Sequence, residues 1–361
     1  MRAAESGGLP AAGHDEVGHD LENSNTESGT TSPRPAAGFE TEGWQSAKPP
    51  LPVARDVSVI ETALSLLADV AVESALARLP QGRDLLVVAL GKYGGAELTF
   101  GSDLDMMFMA DDAAALPPPE SAARQLMQIL RGEGGSPAFV IDIRLRPHGE
   151  AGPQVTTLKS LREYHSAGGG AGPAAQLWEK QMLTRARVVC GPAKLRSAFL
   201  AWRDELIFSA PITEVEVAEI RAMRARVERE RNVCEPPQRA FKTCAGGLVD
   251  FEFFVQTMQL LHGWEHEALR KPSTRALLTE LRMPRELMAN YDFLKRIEIA
   301  ARRDENKPVS ILPPPASEAF EALSRWRGFP SSDALWSEHT QRLKQTRQLL
   351  DGNAGVLTLK M

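Results

Sequence analysis

The stretch from Asp84 to Asp112, DLLVVALGKYGGAELTFGSDLDMMFMADD, limits what this chain can fold into more than any other. Its unbroken apolar run from Leu85 to Leu90 predicts a strand buried on both faces. Gly91, Gly94 and Gly95 predict a tight turn where backbone amides can approach a ligand. A second strand follows, with clean alternation. Leu104, Met106 and Phe108 fall on one face and Asp103 and Asp105 on the other, because successive strand side chains point to opposite sides. Two carboxylates on one strand face behind a glycine turn predict a metal-and-phosphate site.

Ala138 to Arg146, AFVIDIRLR, predicts a third strand. Phe139, Ile141, Ile143 and Leu145 share one face, and Asp142, Arg144 and Arg146 share the other. Set beside the second strand, Asp142 would join Asp103 and Asp105, with two arginines close by. Two such charges about 4 Å apart repel by roughly 4 kcal/mol at an effective dielectric near 20. Protons or divalent cations must relieve that. Oxygen-only ligands with open positions favour Mg²⁺ or Mn²⁺. Paired ions would activate an attacking oxygen and stabilise a leaving pyrophosphate. The glycine turn would hold the triphosphate, and Lys92, Arg144 or Arg146 would offset developing charge.

The flanking sequence predicts an α+β chain: a small mixed sheet with flanking helices over 53–155, connecting helices over 156–210, and an all-α helical bundle over 211–352. Residues 1–52 are acidic, low in complexity and poor in large apolar residues, so a disordered tail is expected there, with a short tail at 353–361. The first predicted helix, Val57–Leu79, lines Ile60, Leu64, Leu67, Val70 and Val72 along one side. The three prolines at 117–119 predict a break before a helix at Glu120–Arg131. From Thr156 onward only helices are expected, including one over Ala174–Val189 and a heavily charged one over Thr213–Arg231 that reads as a solvated face.

Charge and cysteine usage narrow the function class. The formal net charge of −5 is carried by the first fifty residues, and the remainder is balanced. Counterion-release binding to nucleic acid usually needs a basic surplus, so no nucleic-acid partner is expected. Asp69 and Glu73 interrupt the most apolar segment, and the N-terminus lacks an apolar signal region, so no membrane association is expected. Three cysteines without C-x-x-C spacing point to a reducing, cytoplasmic setting.

Four blocks carry a family resemblance. They are G-K-x-G-G-x-E-L-x-x-x-S-D-L-D at Gly91–Asp105, D-I-R-L-R-P-x-G-x-x-G-P at Asp142–Pro153, W-E-x-Q-x-L-x-R-A-R at Trp178–Arg187 and G-G-L-V-D-x-E-F at Gly246–Phe253. In this order they resemble the glutamine-synthetase adenylyltransferase family over about residues 60–305. The resemblance implies a polymerase-β-like nucleotidyltransferase domain followed by a helical bundle. It implies transfer of AMP from MgATP to a tyrosine hydroxyl of glutamine synthetase, with release of pyrophosphate. By the motif match, Asp103, Asp105 and Asp142 are the catalytic, metal-binding carboxylates. Gly91, Lys92, Gly94, Gly95, Ser102, Arg144 and Arg146 fall on the nucleotide side.

Family members usually carry two such halves, one adding AMP and one removing it. Here a single Gly-Gly/D-x-D set is present, and the G-G-L-V-D-x-E-F wording is closer to the adenylylating half. Two other readings remain: a uridylyltransferase acting on a PII-type signalling protein, and a non-catalytic regulatory remnant. Trp178, Glu179, Arg185 and Arg187, expected on one helix, either tie the helical region to the nucleotide site or pack as a seam. Asp250 and Glu252 are expected as buried acids paired to Lys242 or an arginine.

Overall fold

The run at Leu85 becomes the buried centre of a sheet. The computed structural model describes residues 57–112, 114–132, 139–166, 176–303 and 306–353. The expected tails, 1–52 and 353–361, lie outside these apart from the backbone of residue 353, as do Ala138 and residues 174–175. Helix α1 (Val57–Ala77) leads into β1 (Leu86–Ala89), the one-turn α2 (Gly91–Gly94) and β2 (Leu104–Ala110). Then come α3 (Pro117–Arg131), β3 (Ile141–Asp142), β4 (Val155–Thr157), α4 (Leu158–His165), α5 (Leu177–Leu183) and β5 (Arg187–Cys190). The remaining elements are helical: α6 (Ala193–Phe208), α7 (Glu214–Arg231), α8 (Leu248–His262), α9 (Thr274–Glu280), α10 (Arg285–Arg303), α11 (Glu318–Trp326) and α12 (Ser332–Asn353).

The sheet is mixed, in the order β3-β2-β1-β5, with β4 also pairing along β2. β1 runs antiparallel to β2 and β5, whereas β3 and β4 run parallel to β2. All residues from Leu85 to Leu90 are fully buried, each large side chain contributing about 1.5–3 kcal/mol of burial. Alternation divides them. Leu85, Val87, Leu104, Met106 and Phe108 pack with α1 and α3, while Leu86, Val88, Met107 and Met109 pack with the layer formed by α4 to α6. Helices therefore cover both faces. A second core, built by α8 to α12 around Phe251, Leu294, Ile297 and Phe320, belongs to the helical region.

Several local expectations are corrected. Leu67 and Val70 of α1 are exposed, and the buried side runs instead through Glu61, Ser65, Ala68 and Val72. Small residues permit that close approach, and Glu61 is tolerated because Lys295 pairs with it at 2.7 Å. The three prolines begin α3 rather than precede it, since first-turn positions need no N–H partner.

The third strand shrinks to Ile141–Asp142. The amide of Arg144 donates to Asp142 Oδ1 at 2.8 Å, and the Arg146 guanidinium collects the carbonyls of Ile143, Glu150, Gly152 and Pro153. Side chains thus take the backbone groups a longer ladder would use. Two strands after Gln154 were not expected, β4 and β5. The helix expected over 174–189 ends at Leu183, and the β-branched pair Val188-Val189 pairs beside β1.

Helix starts follow their caps. Thr213 and Glu216 form a capping box on α7, Gln176 and Glu179 another on α5, and Ser273 caps α9. Among the described residues no helix is long and apolar enough to cross a membrane.

Candidate active site

The site forms where β2 emerges beneath α2. Asp105 and Asp142 are Cα partners on parallel strands, so their side chains leave the same face. Asp103 is close enough to add to the negative field at Asp105. Burial, then Asp142, then Asp103 push the Asp105 carboxyl up to about 7. Asp142 goes the other way. Arg144 donates from Nε at 2.9 Å and from Nη2 at 2.5 Å, holding the Asp142 carboxyl below its usual range.

Among the described residues, no three His, Cys, Asp or Glu side chains are closed up as a metal centre. Asp142 is committed to Arg144, and burial with two neighbouring carboxylates raises Asp105 against the opposing charges of Lys242 and Arg185. That donor set, carboxylate oxygens crowded on one strand face, fits a hard divalent cation.

Gly91 lies directly over Asp105. Its φ is +52°, and a Cβ there would clash with Oδ2 of Asp105. Gly94 and Gly95 have another task. Their amides bond to Leu90 O at 2.7 Å and Gly91 O at 3.2 Å, so the turn itself uses them. A Cβ on Gly94 would strike the carbonyl of Arg185, and one on Gly95 the Arg185 guanidinium. The glycine pair therefore lets Arg185 pack against the turn. Ser102 also serves it, its Oγ accepting the Thr99 amide at 3.0 Å.

Arg185 is the staple of this turn. It donates to Gly91 O at 2.8 Å, Thr274 Oγ1 at 3.0 Å and Glu97 Oε2 at 2.5 Å, with both ionic partners buried. Glu97 also accepts from Ser273 Oγ at 2.9 Å, at the start of α9. Of the two readings open for this block, Arg185 ties the helical region to the turn. Arg187 grips Asp69 of α1 and the carbonyls of Tyr93 and Gly94, while Glu179 accepts from Tyr164. Trp178 is partly exposed and bonds to Gln176.

Lys92 reaches across to α10 and pairs with Glu298. Burial pulls its ammonium down to about 7 against that attraction. Burial opposes ionisation of Glu298 too, but Lys295, Lys92 and Arg302 outweigh it and hold the carboxyl well below its usual range. Asp250 pairs with Arg224 and accepts the Gly246 amide at 2.6 Å. Glu252 instead faces a cleft.

That cleft, of about 570 Å³, is lined on the sheet side by Gly91, Lys92, Ser102, Asp103 and Asp105. From the helical region come Arg231, Lys242, Glu252 and Arg302. Arg144 and Arg146 do not line it. Arg231, Lys242 and Arg302 escaped sequence reasoning as cleft residues. Lys242 alone left a trace, four residues ahead of the glycine pair.

The glutamate-ammonia ligase adenylyltransferase family model matches residues 55–202, which hold every sheet-side residue of this cleft. Residues 55–202 belong to that family.

Individual relatives carry an adenylyltransferase name as well. The chain is 35% identical to the bifunctional glutamine synthetase adenylyltransferase/adenylyl-removing enzyme of Mycobacterium avium over 265 residues, 69% of this chain and 26% of the relative. For the enzyme of the same name from Burkholderia mallei the identity is 39% over 204 residues, covering 54% and 21%. For that of Mycobacterium bovis it is 33% over 300 residues, covering 77% and 29%. The chain thus spans about a quarter of the length of these curated relatives. The GlnD PII-uridylyltransferase family model matches residues 217–352, most of the helical region.

Proposed function

We propose that this chain transfers AMP from ATP to a tyrosine hydroxyl of glutamine synthetase, releasing pyrophosphate, with a polymerase-β-like nucleotidyltransferase fold over its first part and a helical bundle behind it. The observation that carries this is the pairing of Asp105 with Asp142, with Asp103 and Asp105 lining a cleft whose sheet side lies within the adenylyltransferase match.

Asp103, Asp105 and Asp142 would hold divalent cations, Mg²⁺ or Mn²⁺. Bound there, such ions neutralise phosphate charge and lower the proton affinity of an attacking oxygen. The chain's own residues do the placing. Gly91 leaves Asp105 room, Arg185 fixes the turn, and Arg144 orients Asp142. The tyrosine hydroxyl gives its proton to solvent, and its oxygen forms a bond to the α-phosphorus as the bond from that phosphorus to the oxygen bridging it to the β-phosphate breaks. Pyrophosphate then departs with the charge.

Incubating the chain with MgATP and glutamine synthetase should add the mass of AMP to a tyrosine. Replacing Asp103 and Asp105 together by Asn should abolish the label while the melting curve keeps its cooperative shape. Labelling that survives the double change would remove these carboxylates from the mechanism.

One observation favours a second reading, the match of residues 217–352 to the uridylyltransferase model. That segment contains none of the three aspartates, so it bears on the helical wall of the cleft. A competition assay separates the two, since preference for UTP over ATP would reverse the assignment. A PII-type protein would then be the acceptor to test.

A further inference from the structure

Five basic side chains line the cleft: Lys92, Arg185, Arg231, Lys242 and Arg302. Three are already matched by buried carboxylates. Lys92 and Arg302 both lie against Glu298, and Arg185 lies against Glu97. Arg231 is exposed at the last residue of α7. Lys242 remains. It is half-buried, and among the described residues no carboxylate forms an ion pair with it. Its charge nevertheless reaches the site, lowering the proton affinity of Asp105 and of Lys92.

The backbone around Lys242 is fixed from several sides. The Leu248 and Val249 amides, at the start of α8, bond back to Phe241 O at 3.3 Å and Lys242 O at 2.9 Å. A Cβ on Gly247 would stand 2.7 Å from Phe241 O and 2.8 Å from Lys242 O. Gly246, with φ +77°, lies so close to Leu343 O that no side chain fits. Arg224 donates to Thr243 O at 3.1 Å and Cys244 O at 3.0 Å, and Asp250 takes the Gly246 amide at 2.6 Å. Phe241 and Cys244 are buried on either side. The glycine pair and the Arg224–Asp250 ion pair thus act at a distance from the cleft. Their combined effect is to hold one lysine at its helical wall.

Resting on the adenylyltransferase reading, we propose that Lys242 binds the β- and γ-phosphates of the nucleoside triphosphate and carries the charge of the departing pyrophosphate. The chemistry calls for such a group. The aspartates and their cations must face the α-phosphorus, where the new bond forms. The negative charge that develops appears on the oxygen leaving with the other two phosphates. An ammonium on the wall opposite β2, with no carboxylate to satisfy it first, meets that charge without reorganisation.

Calorimetry on the whole chain tests this with three probes: MgATP, AMP and magnesium pyrophosphate. Lys242→Ala should weaken MgATP and pyrophosphate at least tenfold and leave AMP within twofold. Lys242→Arg should restore most of the loss. Retained AMP affinity shows that the variant is folded. Unchanged MgATP affinity in Lys242→Ala, or an equal loss for AMP, would overturn the assignment while leaving the adenylyltransferase reading in place. Failure of the wild-type chain to bind MgATP would instead overturn that reading and the inference with it.

Discussion

The α-carbon of Gly91 sits so close above Asp105 that a methyl group there would clash with Oδ2. Gly91→Ala must either push the carboxylate aside or shift the turn, and its φ of +52° adds strain of about 1–2 kcal/mol. A displacement near 1 Å in such a site costs on the order of 100-fold in rate. AMP transfer should fall by about that factor, with a far smaller change in melting temperature.

Asp105 predicts a linked effect of pH and cation. Its carboxyl sits at about 7 through burial, Asp142 and Asp103, above its unfolded value of 3.8. Protonated Asp105 is therefore the form the fold prefers. The stability it contributes is present below pH 4 and is lost as pH rises through 7. The loss is at most about 4 kcal/mol, and nearer ~2 kcal/mol at a partly solvated site. In chelator at pH 8, Asp105→Asn should be more stable than wild type by that amount. Magnesium should raise the wild-type melting temperature and leave the variant's almost unchanged. A wild-type curve indifferent to magnesium would remove the cation from this site.

The Arg185–Glu97 pair should behave as one unit. Both side chains are buried and each has further partners, so removing either strands a charge at a cost of about 3–5 kcal/mol. Arg185→Ala combined with Glu97→Ala should cost less than the sum by about 2 kcal/mol. Arg185→Lys should not substitute, because one ammonium cannot reach Gly91 O, Thr274 and Glu97 together. Urea denaturation of the four proteins measures the coupling.

His339 makes the helical core sensitive to acid. It is fully buried on α12 and its Nε2 lies 2.9 Å from Gln238 O, so Nε2 carries the proton and donates. Burial lowers the imidazole from 6.5 to about 4. The unfolded chain binds a proton between those values and the folded chain does not. Stability from this residue is full above pH 6.5 and falls as pH drops toward 4, by about 3 kcal/mol. His339→Gln should flatten that part of the denaturation-versus-pH curve. A variant curve parallel to wild type would show that other groups govern it.

Much of this arrangement was legible in the residues, and particular elements show where legibility ended. Alternation in β2 placed Asp105 opposite Met106 because a strand offers only two sides. The same parity put Asp142 on the matching side of β3, although the strand proved two residues long. Its shortness came from Asp142 and Arg146, whose side chains capture backbone groups in a way no periodicity records. β5 was passed over because Trp178 to Arg187 also scans as a helix, and only pairing with β1 decides for Val188. Gly94 and Gly95 drew attention as ligand-facing residues, yet what requires them is Arg185, ninety residues on in sequence. Lys242, in the turn before α8, and Glu298, on α10, were invisible beside the glycine turn because long stretches of chain separate them from it.

The links from Lys92 to Glu298 and from Glu97 to Ser273 bear on how such enzymes can be recombined. A chimera joined between α6 and α7 would inherit Lys92 and Glu97 from one parent and their partners Glu298 and Ser273 from the other. Unless the parents matched there, the hybrid would leave Lys92 with no opposite number and Glu97 short of one donor, though Arg185 would still face it. Successful shuffling of these modules would have to carry α9 and α10 along with the turn they hold.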